Sequence, residues 1–327
     1  MNEKTKMKKP WQKQLEKLNL GDFSVVIPLL LIMIITTAIN PKFLAWSNFS
    51  STLQLMPFLA FTTLGLSFAL ITGTMDLSVG RVTGLAGMVF AFFLIKKGWA
   101  VAPALLISIL IGAVFGFING FMISKMNIPD FIMTMGTMYI ADAIRYLITN
   151  GYPLTPLPYN LGEFGDVSVL GMTWPFWLMI IAFVIALFVQ KKTVFGRRLY
   201  AIGGNKEVAA LAGINVVRMK VIAYTICGIL AAIAGVLLTI DLNNALPQNG
   251  DGWEFKAVAS CAVGGVSLRG GTGTALGVFV GVFIIRILDN ALIMVGVPAE
   301  YQKCATGIVL AAAVMYDLAK QKRKIRE

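Results

Sequence analysis

Apolar stretches of near-membrane length follow one another along the chain, at about 23–40, 53–72, 81–95, 100–123, 130–148, 174–190, 218–240, 255–267, 273–293 and 301–318, with short polar segments between them. A helix needs about 20 apolar residues to cross the hydrocarbon core of a bilayer. Most of the runs meet that length. Lipid offers no partner to a free backbone amide, so such runs are read as helices. The pattern predicts an all-α, polytopic membrane protein with about ten transmembrane helices. Two runs are different. The stretch after Gly73 is short and interrupted, and 255–267 is short and ends in a glycine-rich run. Segments near 73–82 and 255–270 are therefore expected to be half-helices or re-entrant loops held inside protein.

Composition strengthens this reading. The chain is 57% hydrophobic and 13% charged, about half the charge of a soluble domain, and no stretch is polar enough to form one. The domain plan is a basic N-terminal arm 1–22, a transmembrane domain 23–318 and a basic tail 319–327. The formal net charge of +12 sits at the ends of the runs, where it sets topology rather than binding nucleic acid. The arm, the segment 191–220 and the tail are rich in Lys and Arg and are expected in the cytoplasm. The 149–173 loop has no Lys or Arg but carries Glu163 and Asp166, and is expected outside. Ten helices satisfy all four placements, with both termini cytoplasmic. Lys96 and Lys97 then fall outside, against the rule. The first run follows a long basic region and lacks a small-residue cleavage site, so it reads as an uncleaved helix.

Candidate chemistry is sparse. The chain has no His, which removes the commonest general base. Cys227, Cys261 and Cys304 each lie in an apolar run without metal-ligand spacing, and no metal site is expected. No Ser/His/Asp set exists, so an enzyme is not expected. The run Gly264–Thr274 is glycine-rich but contains no Lys followed by Ser or Thr, so it fails as a phosphate loop and reads as a tight cytoplasmic turn. Glycines at four-residue spacing (Gly80 and Gly84; Gly112, Gly116 and Gly120; Gly273, Gly277 and Gly281) predict close helix packing. Asp142 and Arg145, Arg286 and Asp289, and Glu300 and Lys303 are each three apart and expected to pair on one helix face, as local ion pairs or as an outer gate or docking rim. Asp76 is placed to cap a helix from Leu77 onward.

The most defined local object is the segment 195–220. Asn205 is a good N-cap, Glu207 suits the first helical turn, and Gly213 is placed to end the helix in the left-handed conformation. The residues between them predict a short helix between two spans. By spacing alone, that helix either rests on its own protein or docks onto another.

Four elements then carry a resemblance. Gly73–Gly80 resembles the Gly-Gly-Ile-Asp-Leu-Ser-Val-Gly element of the ribose/galactose/xylose-type permeases of bacterial ABC importers. Thr149-Asn150-Gly151 looks like that family's Thr-Asn-Gly. Gly196–Ile214 is similar to its Gly-Arg-x-x-Tyr-Ala-x-Gly-Gly-Asn…Ala-x-x-x-Gly-Ile stretch. Gly264–Gly273 resembles its Gly-Gly-x-Ser-Leu-x-Gly-Gly-x-Gly. The likeness runs in order from about 45 to 318.

The resemblance implies a multi-pass permease subunit in the cytoplasmic (inner) membrane that moves a monosaccharide or similar small polar solute inward by alternating access. It implies no cofactor in this chain, with ATP and Mg held by separate ATP-binding subunits. It also implies a second permease subunit, identical or related, and a periplasmic or lipid-anchored solute-binding protein. It makes 191–217 a coupling segment, with Gly196, Arg197, Asn205, Glu207, Ala209, Leu211, Gly213 and Ile214 expected to dock onto the ATPase. The pathway or gate is expected around Asp76, Phe131, Thr134, Met138, Asn150, Glu254 and Lys256. At Glu254-Phe255-Lys256 the chain departs from the family, which often has an acidic or neutral residue where Lys256 stands, so substrate preference is expected to differ from a plain aldose. The alternative is an ion-coupled secondary transporter, for which Asp76 would be the titrating carboxylate.

Overall fold

The structure, a computed structural model, describes residues 26–165 and 167–326. The expected arm 1–22 and the side chains of the tail 319–327 lie outside the described residues. The helices are α1 (Val26–Ile39), α2 (Trp46–Gln54), α3 (Met56–Ile71), α4 (Val79–Ile95), α5 (Val101–Lys125), α6 (Asp130–Thr149), α7 (Leu161–Gly165), α8 (Trp174–Lys192), α9 (Val194–Gly204), α10 (Lys206–Leu211), α11 (Val216–Asp241), α12 (Trp253–Val263), α13 (Ala275–Met294) and α14 (Ala299–Arg326). Among the described residues one two-stranded hairpin, β1 (Ser168–Val169) and β2 (Met172–Thr173), is the exception to helix. Its turn residues Leu170 and Gly171 both have positive φ, the backbone that a two-residue hairpin demands.

By length and composition α5, α8, α11 and α13 are each able to cross a membrane, and the pair α2–α3, bent by 41°, is long and apolar enough to do so together. The single run expected at 53–72 is thus preceded by a further helix that begins at Trp46 and meets it at a bend. Pro57 lies in the first turn of α3, where a missing amide costs nothing. The outward faces of α5 and α8 are apolar stripes. Leu106, Leu110, Val114, Phe117 and Phe121 are exposed on one, and Leu178, Ile181, Val184, Ile185 and Phe188 on the other. Stripes this long are not tolerated against water.

The core forms around α11, which packs on α3, α4 and α5. Its small residues make this possible. Ala223, Cys227, Ala231 and Ala234 are fully buried, and Gly228 and Gly235 let neighbouring backbones approach. The row Gly112, Gly116 and Gly120 faces Gly228, Tyr224 and Val221 in that order, so α5 and α11 run antiparallel. A Cβ on Gly120 would stand 2.8 Å from the Val221 Cα. The glycine row therefore packs within the chain. Gly277 and Gly281 likewise meet Gly264 and Ser260, fastening α13 to α12.

Both short segments are buried. Residues 72–78 join α3 to α4 without helix, with Thr72, Asp76, Leu77 and Ser78 out of contact with solvent. The helix α12 has 11 residues, half of what a bilayer needs. The chain thus has two ends. The turn end carries the C-terminus of α3, α9, α10 and the 264–274 turn. The loop end carries the 150–173 and 242–252 connections, which are joined by paired Leu154–Ala245 backbone hydrogen bonds at 3.0 and 2.9 Å.

Candidate functional site

Three polar regions interrupt the apolar bundle. The first is the surface of α9 and α10 at the turn end. The Thr193 hydroxyl accepts from Gly196 N at 3.1 Å and caps α9. The Asn205 side-chain Oδ1 accepts from Glu207 N at 2.9 Å and Val208 N at 3.0 Å and caps α10. Gly213, at φ 79°, ends α10, and Asn215 caps α11 by accepting from Arg218 N at 2.9 Å. The segment's shape is therefore set by its own sequence. Its rear is seated, with Leu199, Ile202 and Ala209 buried. The Tyr200 hydroxyl donates to the Gly273 carbonyl at 2.8 Å, and Gly271 N donates to the Ile71 carbonyl at 2.9 Å. A side chain on Gly203 would collide with Ile71 and Gly271, so the glycine-rich run serves as a closely packed turn. Burial pushes the Tyr200 phenol above its ordinary pKa, which keeps it a donor at neutral pH. The front of α10 is bare, with Val208 exposed and Leu211 89% exposed. Beside it opens a cavity of about 580 Å3 bordered by Thr74, Asp130, Lys206, Lys220 and Arg269.

The second region is the buried α3–α4 crossover. Asp76, 1% exposed, accepts through Oδ1 from Ser78 N at 2.9 Å and Ser78 Oγ at 2.6 Å. Asn119 Nδ2 donates to Ser78 Oγ at 3.0 Å, and the Thr137 hydroxyl donates to Asn119 Oδ1 at 2.9 Å. Tyr224 donates its hydroxyl to the Met75 carbonyl at 2.9 Å, while Met75 N donates to Asp130 Oδ2 at 2.7 Å. The crossover is thereby tied to α5, α6 and α11. Asp76 was expected to cap a helix from Leu77. Instead α4 begins at Val79, and Asp76 closes the turn that leads into it.

The third region is ionic and lies toward the loop end. Arg145, 0% exposed, pairs with Asp142 on its own helix, reaches Asp251 at 3.0 Å, and donates from Nη1 to the Asn249 carbonyl at 2.8 Å. Arg81 of α4 joins both Asp142 and Asp251. The pair expected within α6 is thus one side of a bridge between α4, α6 and the 242–252 loop. A second knot joins Asp289 to Lys256 at 2.7 Å and to Arg286 at 3.7 Å. Among the described residues no ion pair links Glu300 to Lys303.

The expected docking residues divide. Arg197, Asn205, Glu207, Leu211 and Gly213 are exposed. Gly196 is buried against the carbonyls of Val189 and Gln190, Ala209 is 3% exposed, and Ile214 is half-buried with its amide on the Ala209 carbonyl. Ala209 and Gly196 thus face their own protein and cannot meet a partner.

The expected pathway residues do not converge. Phe131 (57% exposed) and Asn150 stand at opposite ends of α6, and Asn150 is its left-handed C-cap at φ 53°. Thr134 is buried with its hydroxyl on the Asp130 carbonyl at 2.8 Å, and Met138 is half-buried. Glu254 is buried on α12, and the charge of Lys256 is taken up by Asp289. Asp76 is enclosed. The residues that do come together and were not anticipated are Asn119, Thr137, Asp130, Arg81 and Asp251. Asn119, the one amide in the apolar run 100–123, carried a legible signal, because a buried amide in a span demands partners.

Residues 48–314 match the family described as branched-chain amino acid transport system / permease component. The chain is similar to the ribose import permease protein RbsC of Bacillus subtilis (strain 168), 38% identical over 303 residues, covering 92% of this chain and 93% of that protein. It is similar to the L-arabinose ABC transporter permease protein AraH of Azospirillum brasilense, 32% identical with 90% and 87% covered. It is also similar to the xylose transport system permease protein XylH of Escherichia coli (strain K12), 29% identical with 94% of each chain covered. No solved structure matches the chain.

Proposed function

This chain belongs to the ribose- and xylose-type permease family of ABC importers, and from that premise we propose the part each region plays. The chain is the membrane-embedded permease component of a sugar importer, in the cytoplasmic membrane of a bacterium. It crosses the membrane about ten times, counting the broken α2–α3 span and the short α4 and α12, and both termini face the cytoplasm. Two permease subunits enclose the pathway. A solute-binding protein delivers the sugar at the loop end. Separate subunits bind ATP and magnesium and drive alternating access from the turn end. Nucleotide acts on this chain only through a difference in affinity between its two states, and that difference is transmitted through α9 and α10.

The observation that carries this reading is α10 itself. It is capped by Asn205, closed by Gly213 and seated on Ala209, yet it presents Leu211 at 89% exposure. An isolated helix of six residues is unstable in water, so this one is held for the surface it offers. Leu211→Asp tests it. The variant should insert and purify as the parent does, because the Leu211 side chain is almost wholly exposed. In proteoliposomes with the ATP-binding subunit, sugar uptake should fall at least tenfold. Uptake at the parent rate would remove the coupling role from α10. Ala209→Arg would not be a clean probe, since it breaks the seat.

A further inference from the structure

We infer that the cavity beside α10 is a socket for a carboxylate-bearing segment of the ATP-binding subunit, an inference that rests on the docking role given to α9 and α10 above. The cavity opens between the α5–α6 connection, the α3–α4 crossover, α10 and the start of α11. Three cations stand on its wall, each from a different element. Lys206 begins α10, Lys220 lies one turn into α11, and Arg269 comes from the 264–274 turn. Among the described residues, none of their side chains makes an ion pair or a hydrogen bond.

Two carboxylates also border the cavity, Asp130 and Glu207. Asp130 is committed elsewhere, with Oδ2 accepting from Met75 N at 2.7 Å and Oδ1 from Phe131 N at 2.9 Å. Lys220 is half-buried and shares this wall with Lys206 and Asp130. The wall therefore holds three donors without acceptors of their own, and like charges gathered in this way are stabilised by an incoming anion. The rim decides the occupant. Val208 and Leu211 are exposed apolar side chains of α10, the helix whose first residues Lys206 and Glu207 border the cavity. A protein surface that covers them brings its countercharge in the same contact, whereas a small anion would leave them bare. Charge of this kind sets orientation and association rate, and the apolar rim supplies burial.

The test measures affinity between the permease in nanodiscs and the ATP-binding subunit of the same importer, over a range of salt. Neutralising the wall with Lys220→Gln and Arg269→Gln should weaken binding about tenfold at low salt and flatten its salt dependence. Reversal with Lys220→Glu and Arg269→Glu should weaken it further. The neutral pair must match the parent in monodispersity and melting temperature, which separates lost contact from lost fold. If both charge variants bind as the parent does while Leu211→Asp does not bind, the socket is wrong and the docking role of α10 stands. If Leu211→Asp also binds normally, the docking reading falls with it. Inorganic phosphate is the small-anion probe. Phosphate that binds the cavity without competing with the ATP-binding subunit would overturn the proposal.

Discussion

At the residue scale, the chain replaces side chains with backbone wherever two elements must touch. Gly116 meets the Tyr224 carbonyl, and Gly228 meets Gly112. In lipid, where apolar side chains gain nothing from leaving solvent, such close approach is what holds helices together. Gly116→Leu should therefore force α5 from α11. The cost expected for overpacking is about 1–3 kcal/mol, read as a lowered melting temperature in detergent. A change at Gly136, which a Cβ would leave without neighbours, should be silent. Tyr200 gives a pH dependence. Its phenol is raised by burial, so the folded state holds the proton more tightly than the unfolded one. The Tyr200–Gly273 contact is complete below about pH 10, the ordinary tyrosine range, and stability falls as pH rises from there through the raised value. Tyr200→Phe should remove that alkaline slope in a pH-melting series.

At the element scale, what was legible in the sequence was what is local. Asn205, Glu207 and Gly213 announce α10 because a helix end satisfies its own amides with side chains a few residues away. Asn205→Ala should cost about 1 kcal/mol and raise hydrogen exchange of the 206–212 amides roughly fivefold, as mass spectrometry would read it. Residue runs also gave the long helices, but not the break between α2 and α3 or the short helices α7 and α9. What was not legible is long-range. Asp142 and Arg145 are three apart and predict each other, but Arg81 and Asp251 join them only because α4 and the 242–252 loop fold across α6. The expected pathway set failed for the same reason. Helix position along α6 says nothing about which face α4 and α5 pack against, and Thr134 is buried while Phe131 is bare.

At the scale of the whole molecule, the two ends differ in construction. The turn end is made of caps, glycines and a bare helix, and the loop end of ion pairs and a hairpin. Cysteine replacements test how the ends are placed across the membrane. With Cys304, the exposed native thiol, replaced by Ser, a cysteine at Glu163 should react with an impermeant maleimide in intact cells. One at Glu207 should react only after lysis. Labelling of both in intact cells would refute the orientation.

The length of α12 has a consequence for how the protein is made. Its 11 residues rise about 16 Å, far short of the roughly 30 Å of hydrocarbon, and they emerge from the ribosome before the helix that covers them. Lipid alone cannot hold such a segment. It is held by α3 and α4, made before it, and by α13 and α14, made after it, with Gly264, Gly277 and Gly281 closing the α12–α13 seam. The full packing of α12 therefore waits, at that point, on a stretch of chain not yet synthesised.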